Sequence, residues 1–307
     1  MLFYVGTYTR LGGPGIAVCS LDSELALLNA VALPNPTYVI ISEGNQKLYA
    51  VSSDAVGQAE GGSYAAYAID GDGLLETQRY NTGAGGPCHV CLSPDQRFLY
   101  TANYASGTLT VFPLDPPDER VQLIHHQGSS IHPTRQDSPH VHHVSFVPDS
   151  NILAAVDLGL DVVVFYEQDR QTGRLAEKSR LSCPAGMGPR HLVYGRDGIA
   201  WLVHELGNAV SPLQRTDSGY RIIQTVTTLP EAWSGDNTCA AIRTDGHHVF
   251  ASNRGHDSIA VYRISAGGLL NPVGIFPTGG QTPRDFYLLP DGQVIVGHQG
   301  GSVTLLN

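Results

Sequence analysis

GPCHVCLSPDQRFLYTANYASGTLTVF, residues 86–112, reads as a proline-led strand, an SPD turn, a second strand, a small turn and a third strand. The runs FLYTAN and LTVF are rich in β-branched and aromatic residues, and helical periodicity is almost absent from the chain. The same order of pieces recurs. It is found in NPTYVIISEGNQKLYAVSS from Asn35, SPHVHHVSFVPDSNILAAVDLGLDVVVF from Ser138 and GPRHLVYGRDGIAWLVHELGNAV from Gly188. It is found again in NTCAAIRTDGHHVFASNRGHDSIAVY from Asn237 and TPRDFYLLPDGQVIVGHQGGSVTLL from Thr282.

The leading prolines Pro36, Pro87, Pro139 and Pro189 recur every 50 to 52 residues, close to the roughly 40–50 residues of a propeller blade. Segments between copies, such as GLLETQRYNTG and GRLAEKSRLSC, supply an outer fourth strand. The N-terminal YVGTYTRLGGPGIAVCSLD resembles the second and third strands of a further blade. Six copies and this partial one predict an all-β, seven-bladed β-propeller of four-stranded antiparallel blades. The 35 glycines and 19 prolines are spread along the chain rather than gathered in a linker, so residues 1–307 read as one domain. Ring closure is the open part of this expectation, because the chain stops at Asn307 directly after a third strand.

A net charge of −10 argues against a nucleic-acid partner, which calls for a basic face. It leaves room for an anionic substrate, since a few arginines in a cleft focus potential locally. No signal-peptide pattern or bilayer-length apolar run is found, which gives the expectation of a cytoplasmic protein without a membrane partner, a monomer or weak homodimer. The five scattered cysteines predict free thiols.

In each copy the first two strands form a hairpin, so the start of the first and the end of the second lie at one end of the blade. The residues after the leading prolines are Thr37, Cys88, His140, Arg190 and Arg284, with His140 counted as the start of its strand. Those ending the second strands are Tyr104, Asp157, Glu205, Arg254 and His298. Polar, solvated channel residues explain part of this set without any chemistry. Arginines brought to one opening, however, repel unless Glu205, Asp157 or an anionic ligand balances them.

SPHVHH, GPRHLVY followed by VHELGNAV, SNRGHDSIAVYRI and GGQTPRDF resemble, in order and spacing, the seven-bladed lactonase family. That family includes a bacterial 6-phosphogluconolactonase and a fungal 3-carboxy-cis,cis-muconate cyclase. The resemblance covers nearly the whole chain; Ala241 stands where the family pattern carries an acidic residue. It implies a cleft on one propeller face with His140 (or its neighbour His142), Arg190, Glu205 and Arg254 as catalytic candidates. His142, Arg284, His191, Asn253 and Tyr104 are the accompanying candidates for substrate binding.

Opening a sugar lactone calls for an activated water, donors for the oxyanion and a grip on substrate charge. Glu205 or His140 is the expected base, Arg190 and Arg254 the anion and oxyanion binders, and Arg284 an outer phosphate contact. The substrate implied is a small anionic lactone, foremost 6-phosphogluconolactone in the pentose phosphate route, with no cofactor. A carboxymuconate cyclase or other acidic-lactone hydrolase is the enzymatic alternative, and a partner-binding propeller the non-enzymatic one.

No metal is expected: His140 and His142 share a side of a strand, but no third ligand declares itself at a characteristic spacing. Cys88 and Cys91, three apart, are expected on opposite strand faces, which removes the CxxC reading. GAGGP at 83–87 precedes a strand rather than a helix, so it reads as a connector and not a phosphate loop. There is no Gly-x-Ser-x-Gly elbow.

Overall fold

The computed structural model describes residues 1–22, 24–44, 46–53 and 61–307, with the side chain of residue 197 left aside. Seven antiparallel sheets follow one another along the chain, and we number them as blades one to seven. Blades two (Pro36–Asn81), three (Pro87–His125), four (Val141–Ser182) and six (Thr238–Pro277) each hold four strands. In blade five the third strand, Ala209–Thr216, pairs with both Gly219–Ile222 and Val226–Thr227. The only helical segments among the described residues are three short 3₁₀ turns.

Second strands are mostly buried, and Phe98–Asn103 and Ala200–His204 are buried from end to end, because both faces of a blade pack against neighbours. The outer strands alternate little and stay exposed, as in Leu25–Val31. Six apolar clusters lie between successive blades, joining one to two, two to three, and so on to seven.

Blades one and seven each hold three strands among the described residues. In blade one, Leu2–Gly6 is the inner edge of the sheet among the described residues. No apolar cluster joins blade seven to blade one among the described residues. A contact across that gap is the Arg284 guanidinium, 5.3 Å from the centre of the Tyr8 ring.

One backbone device recurs and sets up the channel. In blades two, three, four, five and seven the register of innermost and second strand slips after the first pair. The bulged residues are Thr37, Cys88, His142, Arg190 and Arg284. A bulge bends the strand and re-aims the side chain of the extra residue. In blade six the slip falls between Cys239 and Ile242.

This register corrects the sequence alignment by two residues in blade four. Val141, not Pro139, pairs with the end of the second strand, at Asp157. The Leu158 amide donates to the His140 carbonyl, as those of Tyr104 and Glu205 donate to Gly86 and Gly188. His140 thus takes the place of the connector glycines just before the strand, and His142 is the bulge residue equivalent to Arg190. Gly86 and Gly188 have φ of +63° and +57°, a conformation glycine adopts without strain.

A second correction concerns the CxxC. Because of the bulge, Cys88 and Cys91 both pack against the core between blades three and four. All five thiols are free, and burial pushes that of Cys88 up to about 12.

Candidate active site

Glu205 follows the second strand of blade five, whose last residue is His204. Its Oε1 lies 2.5 Å from Arg135 Nη2, and its Oε2 lies 2.8 Å from Arg190 Nε and 2.9 Å from Arg254 Nη2. The carboxylate side chain is 4% exposed and that of Arg190 3%. Arg190 also donates through Nη1 to the Ala240 carbonyl at 2.7 Å, and Arg254 through Nη2 to the Cys239 carbonyl at 2.9 Å. Blades five and six are thereby tied to one carboxylate.

Burial alone would raise the Glu205 pKa, but the charges of Arg254, Arg190 and Arg135 outweigh it and hold the carboxyl well below its usual range. On Arg190 the balance runs the other way. Burial, then repulsion from Arg284 and Arg254, brings its guanidinium down to about 10. Arg254 is lowered by burial and by Arg284 against the pull of Glu205. Four guanidinium groups and one buried carboxylate leave the mouth with surplus positive charge.

His140 stands beside this set rather than within it. Its Nδ1 lies 2.9 Å from the Tyr104 carbonyl and its ring stacks on Tyr104 at 4.3 Å and 7°. A carbonyl only accepts, so Nδ1 carries the proton and neutral His140 keeps a lone pair on Nε2. Nε2 is 3.8 Å from the exposed Asp137 carboxylate. Tyr104 in turn accepts from Arg135 through its hydroxyl at 3.4 Å, which links His140 to the guanidinium cluster without direct contact with Glu205.

His142 is buried, with Nδ1 unpartnered and its ring edge-on to Tyr104 at 5.5 Å. Burial, then the charge of Arg190, holds it well below the usual histidine range. Arg284 is half-buried at the same mouth, and no carboxylate pairs with it among the described residues.

Two candidates lie elsewhere. Asn253 is fully buried behind the mouth, donating to the Thr228 carbonyl at 2.9 Å and accepting from Thr228 Oγ1 at 2.8 Å. The His191 ring lies among other imidazoles deeper in the channel, 5.0 Å from the His143 ring. Asp157 and His298 are also one step off the mouth row. They pair across the ladder with Val141 and Pro283, and Asp157 binds His126 Nδ1 at 2.6 Å and the His140 amide at 2.8 Å.

Arg135 was not found from the sequence. It lies in the connector between blades three and four, outside every repeat copy, and only the polar run HPTRQD marks that segment.

Comparison with known proteins gives a consistent result. The family described as "Lactonase, 7-bladed beta-propeller" matches residues 2–306. The 6-phosphogluconolactonase of Bacillus subtilis (strain 168) is 37% identical over 302 residues, covering 94% of this chain and 84% of that protein. A protein from Lactobacillus plantarum superposes with a TM-score of 0.90 at 32% identity, over 100% of this chain and 96% of the other. The periplasmic gluconolactonase PpgL of Pseudomonas aeruginosa superposes with a TM-score of 0.89 at 30% identity, over 100% and 95%.

Proposed function

Because the chain belongs to the seven-bladed β-propeller lactonase family, we propose that its arginine-lined mouth hydrolyses a phosphorylated sugar lactone, 6-phosphogluconolactone, to 6-phosphogluconate. The observation carrying the reading is the charge imbalance at the mouth. Arg135, Arg190, Arg254 and Arg284 face one carboxylate, and Arg190 and Arg254 are lowered partly by Arg284. A bound dianion relieves that repulsion.

In this reading water attacks the lactone carbonyl and gives its proton to His140 Nε2, the nitrogen left free by the Tyr104 carbonyl. Arg190 and Arg254 stabilise the oxyanion, and collapse breaks the ring C–O bond, with the imidazolium returning the proton to the leaving oxygen. Glu205 is given a positioning role. A carboxylate held ionised by three guanidinium groups is a poor proton acceptor, but it fixes all three in place. Of the two expected bases, His140 is therefore the one retained. Arg284 and His142 are assigned to the substrate's phosphate end. The proposal includes the pentose phosphate step that consumes this lactone and a cytoplasmic location.

The relatives carry names for both a phosphorylated and an unphosphorylated lactone, so the test compares the two. With spontaneous hydrolysis subtracted, Arg284→Ala is expected to raise KM at least about tenfold for 6-phosphoglucono-δ-lactone and to leave glucono-δ-lactone unchanged. Equal effects on both substrates would remove Arg284 from the phosphate.

A further inference from the structure

Below the bulge row, each innermost strand offers its next residue to the channel. Tyr38, His89, His143 and Asp285 occupy this second row with His191. His89, His143 and His191 are buried, and a nitrogen from each lies within 4.8 Å of the others. Their rings stand 4.1 Å (His89 and His143), 5.0 Å (His143 and His191) and 5.3 Å (His89 and His191) apart. Four of the six ring nitrogens have no partner: His89 Nε2, both nitrogens of His143, and His191 Nδ1.

Three imidazoles suggest a transition metal, but the protons argue otherwise. His191 Nε2 faces Arg190 Nη1 at 3.2 Å, and a guanidinium only donates. Nε2 is then the acceptor, and in neutral His191 the proton sits on Nδ1. His89 Nδ1 accepts from the Val144 amide at 3.5 Å, which puts the proton of neutral His89 on Nε2. The unpartnered nitrogens of both rings are therefore N–H donors, whereas a metal needs lone pairs there. His143, with both nitrogens free, always has one more donor to offer.

Charge points the same way. Burial, and after it the charge of Arg190 on all three rings and of Arg243 on His89 and His143, lowers their pKa values and keeps them neutral. Each arginine has a carboxylate beside it: Glu205 holds Arg190 at the mouth, and Asp285, in the same row as the imidazoles, lies 2.6 Å from Arg243 Nη2. A cation here meets positive charge on two sides, an anion meets it as attraction.

We propose that His89, His143 and His191 form a buried site for a small monovalent inorganic anion of the halide type, separate from the arginine mouth. The ion receives N–H bonds from His89 Nε2, His191 Nδ1 and one nitrogen of His143. Access is from the far end of the channel. A cavity of about 480 Å³ there is lined by Tyr38, His89, His143 and Arg243 and by the ends of the innermost strands at Ile41 and Leu92. Because His191 touches Arg190, the ion braces the mouth from below.

The test is diffraction from the whole protein with bromide replacing chloride, alongside ring ¹⁵N spectra of the histidines. The expected result is an anomalous bromide peak among the three imidazoles, with His89 protonated on Nε2 and His191 on Nδ1. In a titration at constant ionic strength, Tm should rise with bromide against gluconate, and His143→Leu should weaken that dependence at least about tenfold. If His143→Leu does not fold, the parent crystal decides alone. Bromide found only at the arginine mouth, a water oxygen among the rings that bromide does not displace, or zinc bound there with the two tautomers reversed would each overturn the proposal.

Discussion

Arg190 Nε and Glu205 Oε2 are 2.8 Å apart, both on blade five, and both side chains are nearly sealed from water. Arg190 is the bulge residue of the innermost strand, and Glu205 is the first residue beyond the second strand. One hairpin thus carries both partners, and Arg135 and Arg254 are recruited to the same carboxylate from the neighbouring connector and blade.

This makes Glu205 a structural anion within a site for another anion. Replacing it as Glu205→Gln leaves three guanidinium groups without a counter-charge, and breaking a buried pair costs about 3–5 kcal/mol. The expected outcome is a marked drop in Tm at neutral pH. The folded-state pKa of Glu205 is depressed, so its contribution is present above the unfolded value of about 4.3 and is lost as pH falls toward the folded value. The Tm gap between parent and Glu205→Gln should therefore stay constant from pH 6 to 8, to within about a degree, and narrow below about pH 4. A gap that widens in acid would refute this role.

His140→Gln tests the base. Turnover should fall by about 10²- to 10⁴-fold while the fold, read by circular dichroism, is retained. Parent-like turnover in His140→Gln would remove His140 as the base.

Arg254→Lys keeps the charge but loses the planar fork that reaches Glu205 and the Cys239 carbonyl together. A fall in kcat/KM of about 10- to 100-fold with Tm changed little is expected. Parent-like kinetics would take Arg254 out of the oxyanion site.

Inorganic phosphate should inhibit competitively and stabilise the fold, by about 2.7 kcal/mol at a hundred times its Kd. Arg284→Ala should weaken both effects in parallel. Stabilisation unchanged in that variant would place phosphate elsewhere.

The blades were legible because each copy repeats one apolar pattern, and the family motifs pointed to Arg190, Glu205 and Arg254. What the sequence hid was register. A bulge adds a residue without changing the apolar alternation on either side, so Pro139 looked like Pro87 although Val141 fills that place. The same shift moved His140 out of the strand and His142 into the bulge. Arg135 was hidden for a different reason. Its position depends on how a long connector folds back over the mouth, which no local periodicity records. The imidazole row was equally out of reach, since His89, His143 and His191 meet only once the bulges align three separate blades.

The most direct measurement is the rate of 6-phosphogluconate formation from fresh 6-phosphoglucono-δ-lactone, coupled to its dehydrogenase, with spontaneous hydrolysis subtracted. Enzyme-dependent, saturable formation by the parent protein is expected, lost in Arg190→Ala and reduced by about 10²- to 10⁴-fold in His140→Gln. A parent rate no faster than the uncatalysed background would contradict it.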